Sequence, residues 1–142
     1  MKTKLILFLA LALAACKSRQ PASNGCNVIC TKQFVIIPVK LISTAGHEVD
    51  YKSYHVIETA TGKEIKSRNE LPVTDRSNAN IVLLVDDSHL HDFVEKGTNV
   101  QLQITRKDDK VLKVNYKISG GKCACHVAKL DGPDEVDIDQ QL

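Results

Sequence analysis

Along most of this chain apolar side chains alternate with polar ones, a pattern that predicts short strands. Residues 33–42 (Gln-Phe-Val-Ile-Ile-Pro-Val-Lys-Leu-Ile) are rich in β-branched side chains. Pro38 has no N–H to give a ladder, so this strand belongs at a sheet edge or carries a bulge. Residues 43–46 read as the following turn. Residues 54–59 are the next strand, and Thr61-Gly62 turns it into 63–66 as a hairpin. Residues 71–78 are irregular. Residues 81–85 are consecutive aliphatics, the mark of a strand buried on both faces. Residues 86–97 are the one predicted helix. Asp87 or Ser88 caps it, Leu90, Phe93 and Val94 share a face, and Gly97 stops it. Val100, Leu102 and Ile104 then alternate with Gln101, Gln103 and Thr105 as a half-buried strand. Residues 107–110 turn into its partner, 111–118. Gly120-Gly121 turns again into 122–130. The end, 131–142, reads as an acidic, turn-like tail that frays.

About seven short strands, with turn signals at intervals of roughly 8–12 residues, predict an all-β chain. The architecture expected is an antiparallel β-sandwich, immunoglobulin-like or transthyretin-like, with one short helix. A small β-barrel with one helix is the alternative. The opening strand, Gly46 and the Thr61-Gly62 turn resemble the small β-sandwich modules appended to carboxypeptidases and outer-membrane proteins. That resemblance implies that the first and last strands are neighbours.

The first 16 residues break the pattern. Lys2 and Lys4 precede the uncharged stretch 5–13, and Leu13-Ala14-Ala15-Cys16 follows. The apolar stretch is too short to span a hydrocarbon core, which needs roughly 20 residues. The segment resembles a bacterial lipoprotein signal peptide ending in a lipobox. The resemblance implies cleavage after Ala15 and acylation of Cys16, with Lys17 in second place favouring the outer membrane. Several acyl chains on one cysteine anchor firmly, where one alone is marginal. The expected organisation is a signal peptide over 1–15, a lipidated tether over 16–25, a β-sandwich over 26–130 and the acidic tail over 131–142. The tether lacks apolar periodicity and, as a flexible coil, holds the domain a root-mean-square ~17 Å from its anchor.

Charge narrows the function classes. Removing Lys2 and Lys4 takes the 19 basic residues to 17, against 17 acidic ones. A balanced mature chain argues against nucleic-acid binding. The mature chain has no Trp, and its aromatics are Phe34, Tyr51, Tyr54, Phe93 and Tyr116, so the core is expected to be aliphatic.

Besides Cys16 there are Cys26, Cys30, Cys123 and Cys125. An even set in an exported chain reads as disulfides. Pairing within each pair closes rings of a few residues, so front-to-back pairing is expected. Cys26–Cys125 with Cys30–Cys123 and the crossed arrangement both remain open. The front pair is spaced four apart and the rear pair two apart, so a bulge or turn is expected at one of them. As thiolates the same four, with His126, suit zinc or copper(I). Against this, neither half has zinc-ribbon spacing, and on a strand His126 faces away from Cys123 and Cys125.

Two other groups stand out. Residues 86–92 (Asp-Asp-Ser-His-Leu-His-Asp) crowd acids and imidazoles, but His89 and His91 diverge on a helix, so capping is the expected role. His47, Glu48 and Asp50, followed by Tyr51 and Tyr54, read as a polar inter-strand loop, and His55 as a strand residue. No nucleophile elbow, phosphate-cradling loop or His-Glu-x-x-His helix is present. The sequence therefore predicts a non-catalytic, lipid-anchored envelope module without a cofactor, facing the periplasm and contacting an envelope protein. Its alternative is a metal-binding lipoprotein built on the cysteine cluster. An aliphatic edge strand at 33–42 would also allow pairing with another chain.

Overall fold

The computed structural model describes residue 26, residues 28–67 and residues 80–140. The signal peptide, Cys16, the tether and the segment 71–78 lie outside the described residues.

Among the described residues seven strands run in chain order: β1 Ile36–Ile42, β2 Tyr51–Glu58, β3 Ile81–Asp86, β4 Thr98–Arg106, β5 Val111–Ser119, β6 Ala128–Asp131 and β7 Glu135–Asp137. They form two sheets, ordered β3-β1-β7 and β2-β4-β5-β6. The described residues are all-β, as expected, and their strand pairings are antiparallel except β1 with β7, which is parallel.

The two sheets enclose one aliphatic core. Val39 and Leu41 of β1, Val82 and Leu84 of β3, and Val136 of β7 come from one layer. Val56 of β2, Val100, Leu102 and Ile104 of β4, and Leu112 and Ile118 of β5 come from the other. Alternation explains the division, because successive strand side chains point to opposite faces. In β4 the intervening Gln101, Gln103 and Thr105 face outward, where Gln103 donates to Gln101 and Gln101 to Asn115, each at 2.9 Å.

Of the two positions Pro38 allowed, edge or bulge, the 33–42 strand takes the bulge: β1 is the central strand of its sheet, which removes the free edge expected for pairing with another chain. The register breaks between Ile37 and Pro38: Ile37 faces Val85 and Pro38 faces Leu83, so Leu84 is the extra residue of a bulge in β3. β7 joins the other side of β1 only from Lys40 to Ile42. Pro38 is thus accommodated at a bulge, beyond the reach of β7. The five aliphatics of β3 are buried as its sequence implied, apart from a partly exposed Ile81.

The C-terminal segment is the larger correction. Residues 131–142, read as an acidic tail, include β7, and Val136 and Ile138 are buried in the core. Two apolar residues spaced two apart among carboxylates carry the strand signal, and the acids mask it in composition. Carboxylates flanking them do local work: Asp139 accepts from the Ser43 hydroxyl at 2.6 Å and from the Ala45 N–H at 3.0 Å. The predicted hairpin arm 63–66 reduces to one bridge, Ile57 to Glu64, flanked by the Ile65 N–H to Val56 carbonyl bond at 2.8 Å.

The predicted helix also shrinks. Asp87–Asp92 is a 3₁₀ turn capped by Asp86, and Phe93 is already extended. Phe93 still reaches the core, but Val94 is exposed rather than sharing its face.

Tyr116 on β5 is buried, and its ring lies against Gly132, whose φ of 112° and missing Cβ permit the approach. Its hydroxyl has no hydrogen-bond partner among the described residues. Burial first, and then the charge of Asp134, push this phenol far above its ordinary value. A buried hydroxyl without a partner costs free energy that Phe does not. Tyr116→Phe is therefore expected to keep or raise stability, by up to about 1 kcal/mol. Leu102→Ala, in the fully buried centre of β4, is expected to lose about 3 kcal/mol. Urea unfolding of both variants measures the contrast.

Candidate functional site at the disulfide-stapled end

β1 begins, β3 ends, β4 begins, β5 ends and β6 begins at the same end of the sandwich. Cys26, the first described residue, lies here too. Two disulfides close this end: Cys26 to Cys123 and Cys30 to Cys125, with Cα separations of 5.3 and 5.1 Å. The pairing is front to back, as the ring sizes required, and is the crossed arrangement of the two left open by sequence. The unequal spacing is absorbed by a turn at the rear pair, where Ala124 donates its N–H to the Gly121 carbonyl at 3.3 Å. The strand expected over 122–130 consequently starts at Ala128.

Asp87 organises the same end. One carboxylate oxygen, Oδ2, accepts the Val35 N–H at 2.8 Å and lies 2.7 Å from His126 Nδ1. The other, Oδ1, accepts the Val127 N–H at 2.8 Å. Val35 leads into β1 of one sheet and Val127 into β6 of the other, so one carboxylate ties both layers. Burial pushes the Asp87 carboxyl up, but the bonds from His126, Val127 and Val35 outweigh it and hold the group below the ordinary carboxylate range. Asp86 behaves alike. It is fully buried, and the hydroxyls of Ser67 and Ser88 and the Ser88 N–H overcome the burial penalty and keep it ionised.

His126 Nε2 lies 2.9 Å from the Thr31 hydroxyl. Thr31, His126 and Asp87 thus form a hydroxyl–imidazole–carboxylate chain, the wiring of a nucleophilic relay. Its other requirements are not met by these groups. The nearby Val35 and Val127 N–H donors are already given to Asp87, which leaves neither for a developing oxyanion. Concave surfaces around Tyr54, Phe93 and Pro38 are lined by other residues. The chain of bonds fastens the stapled segment to the 3₁₀ turn.

The sequence singled out Cys26, Cys30, Cys123, Cys125 and His126 as one group and residues 86–92 as another. The structure joins them through Asp87 and His126, a link 39 residues long with no local signature. His89 is not part of it: its ring contacts Asp92 and the Lys66 carbonyl, each at 2.8 Å, while His91 is exposed. No group of three or more His, Cys, Asp and Glu among the described residues is placed to hold a metal. With their sulfurs joined, the four cysteines have no thiolates to offer one.

The other expected features lie elsewhere. The 47–50 loop sits at the opposite end, where Asp50 pairs with Lys107 at 3.3 Å. Tyr51 and Tyr54 meet edge to face at 6.4 Å. They border a cleft of about 350 Å³ with His55, Glu64, Lys66 and Leu83. His55, expected as a plain strand residue, lies 2.5 Å from Glu64 and holds that carboxyl below its ordinary range.

The loops closed by the disulfides span 97 and 95 residues. Either one already brings the other pair together, so removing one by paired Cys→Ser substitution is expected to cost about 2 kcal/mol. Removing both is expected to cost about 5 kcal/mol or more, read by denaturant unfolding. The acid sensitivity has a definite sign. Asp86 and Asp87 are ionised in the folded chain below the value of 3.8 at which the unfolded carboxyls protonate. The stability they confer is whole above that value and is lost as pH falls through their folded values. Thermal melts are expected to show the midpoint dropping between about pH 5 and about pH 2, less steeply in Asp87→Asn.

No protein family, curated protein or solved structure matches this chain, so its function rests on the chemistry of its own residues.

Proposed function

We propose that this chain is a lipid-anchored, non-catalytic module of the bacterial cell envelope. Its domain is an immunoglobulin-like or transthyretin-like β-sandwich that offers a face or loop to an envelope protein. The observation that carries the reading is the double front-to-back staple, Cys26–Cys123 and Cys30–Cys125. Disulfides persist in oxidising compartments such as the periplasm. That supports export, which the lipobox-like segment ending at Cys16 implies independently. The basic Lys17 supports the outer membrane, with the domain facing the periplasm. The alternative, metal binding by Cys26, Cys30, Cys123 and Cys125, needs all four reduced, and the stapled geometry favours the structural role.

The test is the intact mass of protein isolated from envelopes, native and denatured, with alkylation before reduction. The expected chain starts at Cys16, carries the mass of its acyl groups, is four hydrogens lighter than the reduced form and takes up no alkylating agent. Cys16→Ser is expected to lose the acyl mass and leave the membrane fraction. Four alkylated thiols with a metal adduct in the native spectrum would overturn the reading in favour of metal handling.

A further inference from the structure

We infer that the stapled end of the sandwich seats directly on the lipid surface that holds the chain's own N-terminus. The inference rests on the lipid-anchor reading above and adds the orientation of the domain to it.

Three observations converge on this end. The first is apolar exposure. Ile29 is 99% exposed and Val28 50%. Both lie between Cys26 and Cys30, which are each bonded to the rear pair. A free apolar loop would fold back onto the domain, whereas this one is held out by covalent bonds at both sides. Phe34, Ile36 and Val94 lie at or beside the same end. Together they make five of the seven large apolar side chains exposed among the described residues. Exposed apolar groups gathered in one region mark an interaction surface.

The second is charge. Lys32, Lys96 and Lys122 are exposed at this end, against the exposed carboxylate of Glu95 among them. Its aspartates are already engaged, Asp86 by serines, Asp87 by His126 and Asp92 by His89. At the opposite end the cations are paired with carboxylates, Lys52 with Asp109, Lys107 with Asp50, and Arg106 and Lys110 with Asp108, so they are not free for an anionic surface. Apolar side chains flanked by lysines suit the interface of a bilayer containing anionic lipid.

The third is connection. In a chain that starts at Cys16, ten residues precede Cys26, which lies three residues before Ile29. A tether anchored at Cys16 keeps this end within a short reach of the membrane, so docking needs little further loss of freedom.

The chain has no Trp, which makes a single introduced indole an unambiguous reporter. Ile29→Trp and, at the far end, Val111→Trp are prepared in the full lipidated protein. Each is placed in vesicles of phosphatidylcholine with phosphatidylglycerol, with and without brominated acyl chains. The indole at position 29 is expected to shift to the blue and to be quenched at least about twofold by the brominated chains. The indole at position 111 is expected to be unaffected. Lys32→Glu with Lys122→Glu is expected to weaken the quenching while the mass of the acylated N-terminus is unchanged. Equal, solvent-like emission from the two positions in acylated protein would overturn the docking and leave the anchor standing. An N-terminal peptide without acyl mass would overturn both. An indole at position 29 shielded in native envelopes but not in pure lipid would also overturn the docking, and would give this end to a protein partner.

Discussion

The carboxylate of Asp87 is the point on which the two layers depend. It takes N–H groups from Val35, at the entrance to β1, and from Val127, at the entrance to β6, and its third partner is His126. A strand pair within a sheet is held by its own ladder, but nothing in a ladder holds one sheet to another. The aliphatic core attracts without direction. Asp87 supplies direction at one end. At the other end Arg106 of β4 donates to the Ile138 carbonyl beyond β7, at 3.0 Å. Each is a charged group bonded to main chain of the opposite layer, the kind of hydrogen bond worth more than a neutral one.

The disulfides make the Asp87 arrangement affordable. Val35 and Val127 follow the front and rear cysteine pairs by a few residues. Once the pairs are joined, the two N–H donors are already brought close before the carboxylate is desolvated. Burying a charge is costly unless its partners are in place. The staples therefore do more than restrict the unfolded chain: they gather the partners that let an ionised Asp87 sit largely buried.

The elements legible in the sequence were those set by local period. The alternation of β4 and β5 and the aliphatic run of β3 read directly as strands. Local period fails where a few residues act against their surroundings. Val136 and Ile138 are a two-residue signal inside an acidic stretch, and the parallel strand β7 that holds Val136 depends on β1, about a hundred residues earlier in the chain. Pro38 carried a correct physical message, no donor here, whose two solutions, edge and bulge, differ only in tertiary context. The cysteines showed that front must meet back, but the choice of partner depends on the turn at 121–124. The Asp87–His126 link was invisible for the same reason, since each residue has an ordinary local explanation and only the joined ends bring them together.

The position of the staples also has a mechanical sense for a domain loaded from its N-terminal side. A pull on the N-terminal segment reaches the domain first at Cys26 and next at Cys30. Without the bonds it would pass into β1, the central strand of its sheet, and peel it from β3 and β7. Ladder hydrogen bonds loaded one after another give way singly. With the bonds in place the load passes to Cys123 and Cys125, and so into the sheet that contains β5 and β6. There it is shared with β4, whose pairing with β5 spans Thr98–Ile118 to Thr105–Val111. The strand nearest the tether is thereby relieved of it. The same covalent path fixes Cys26 and Cys30 against the rear turn at two points rather than one. Two attachments define an orientation where one defines only a distance.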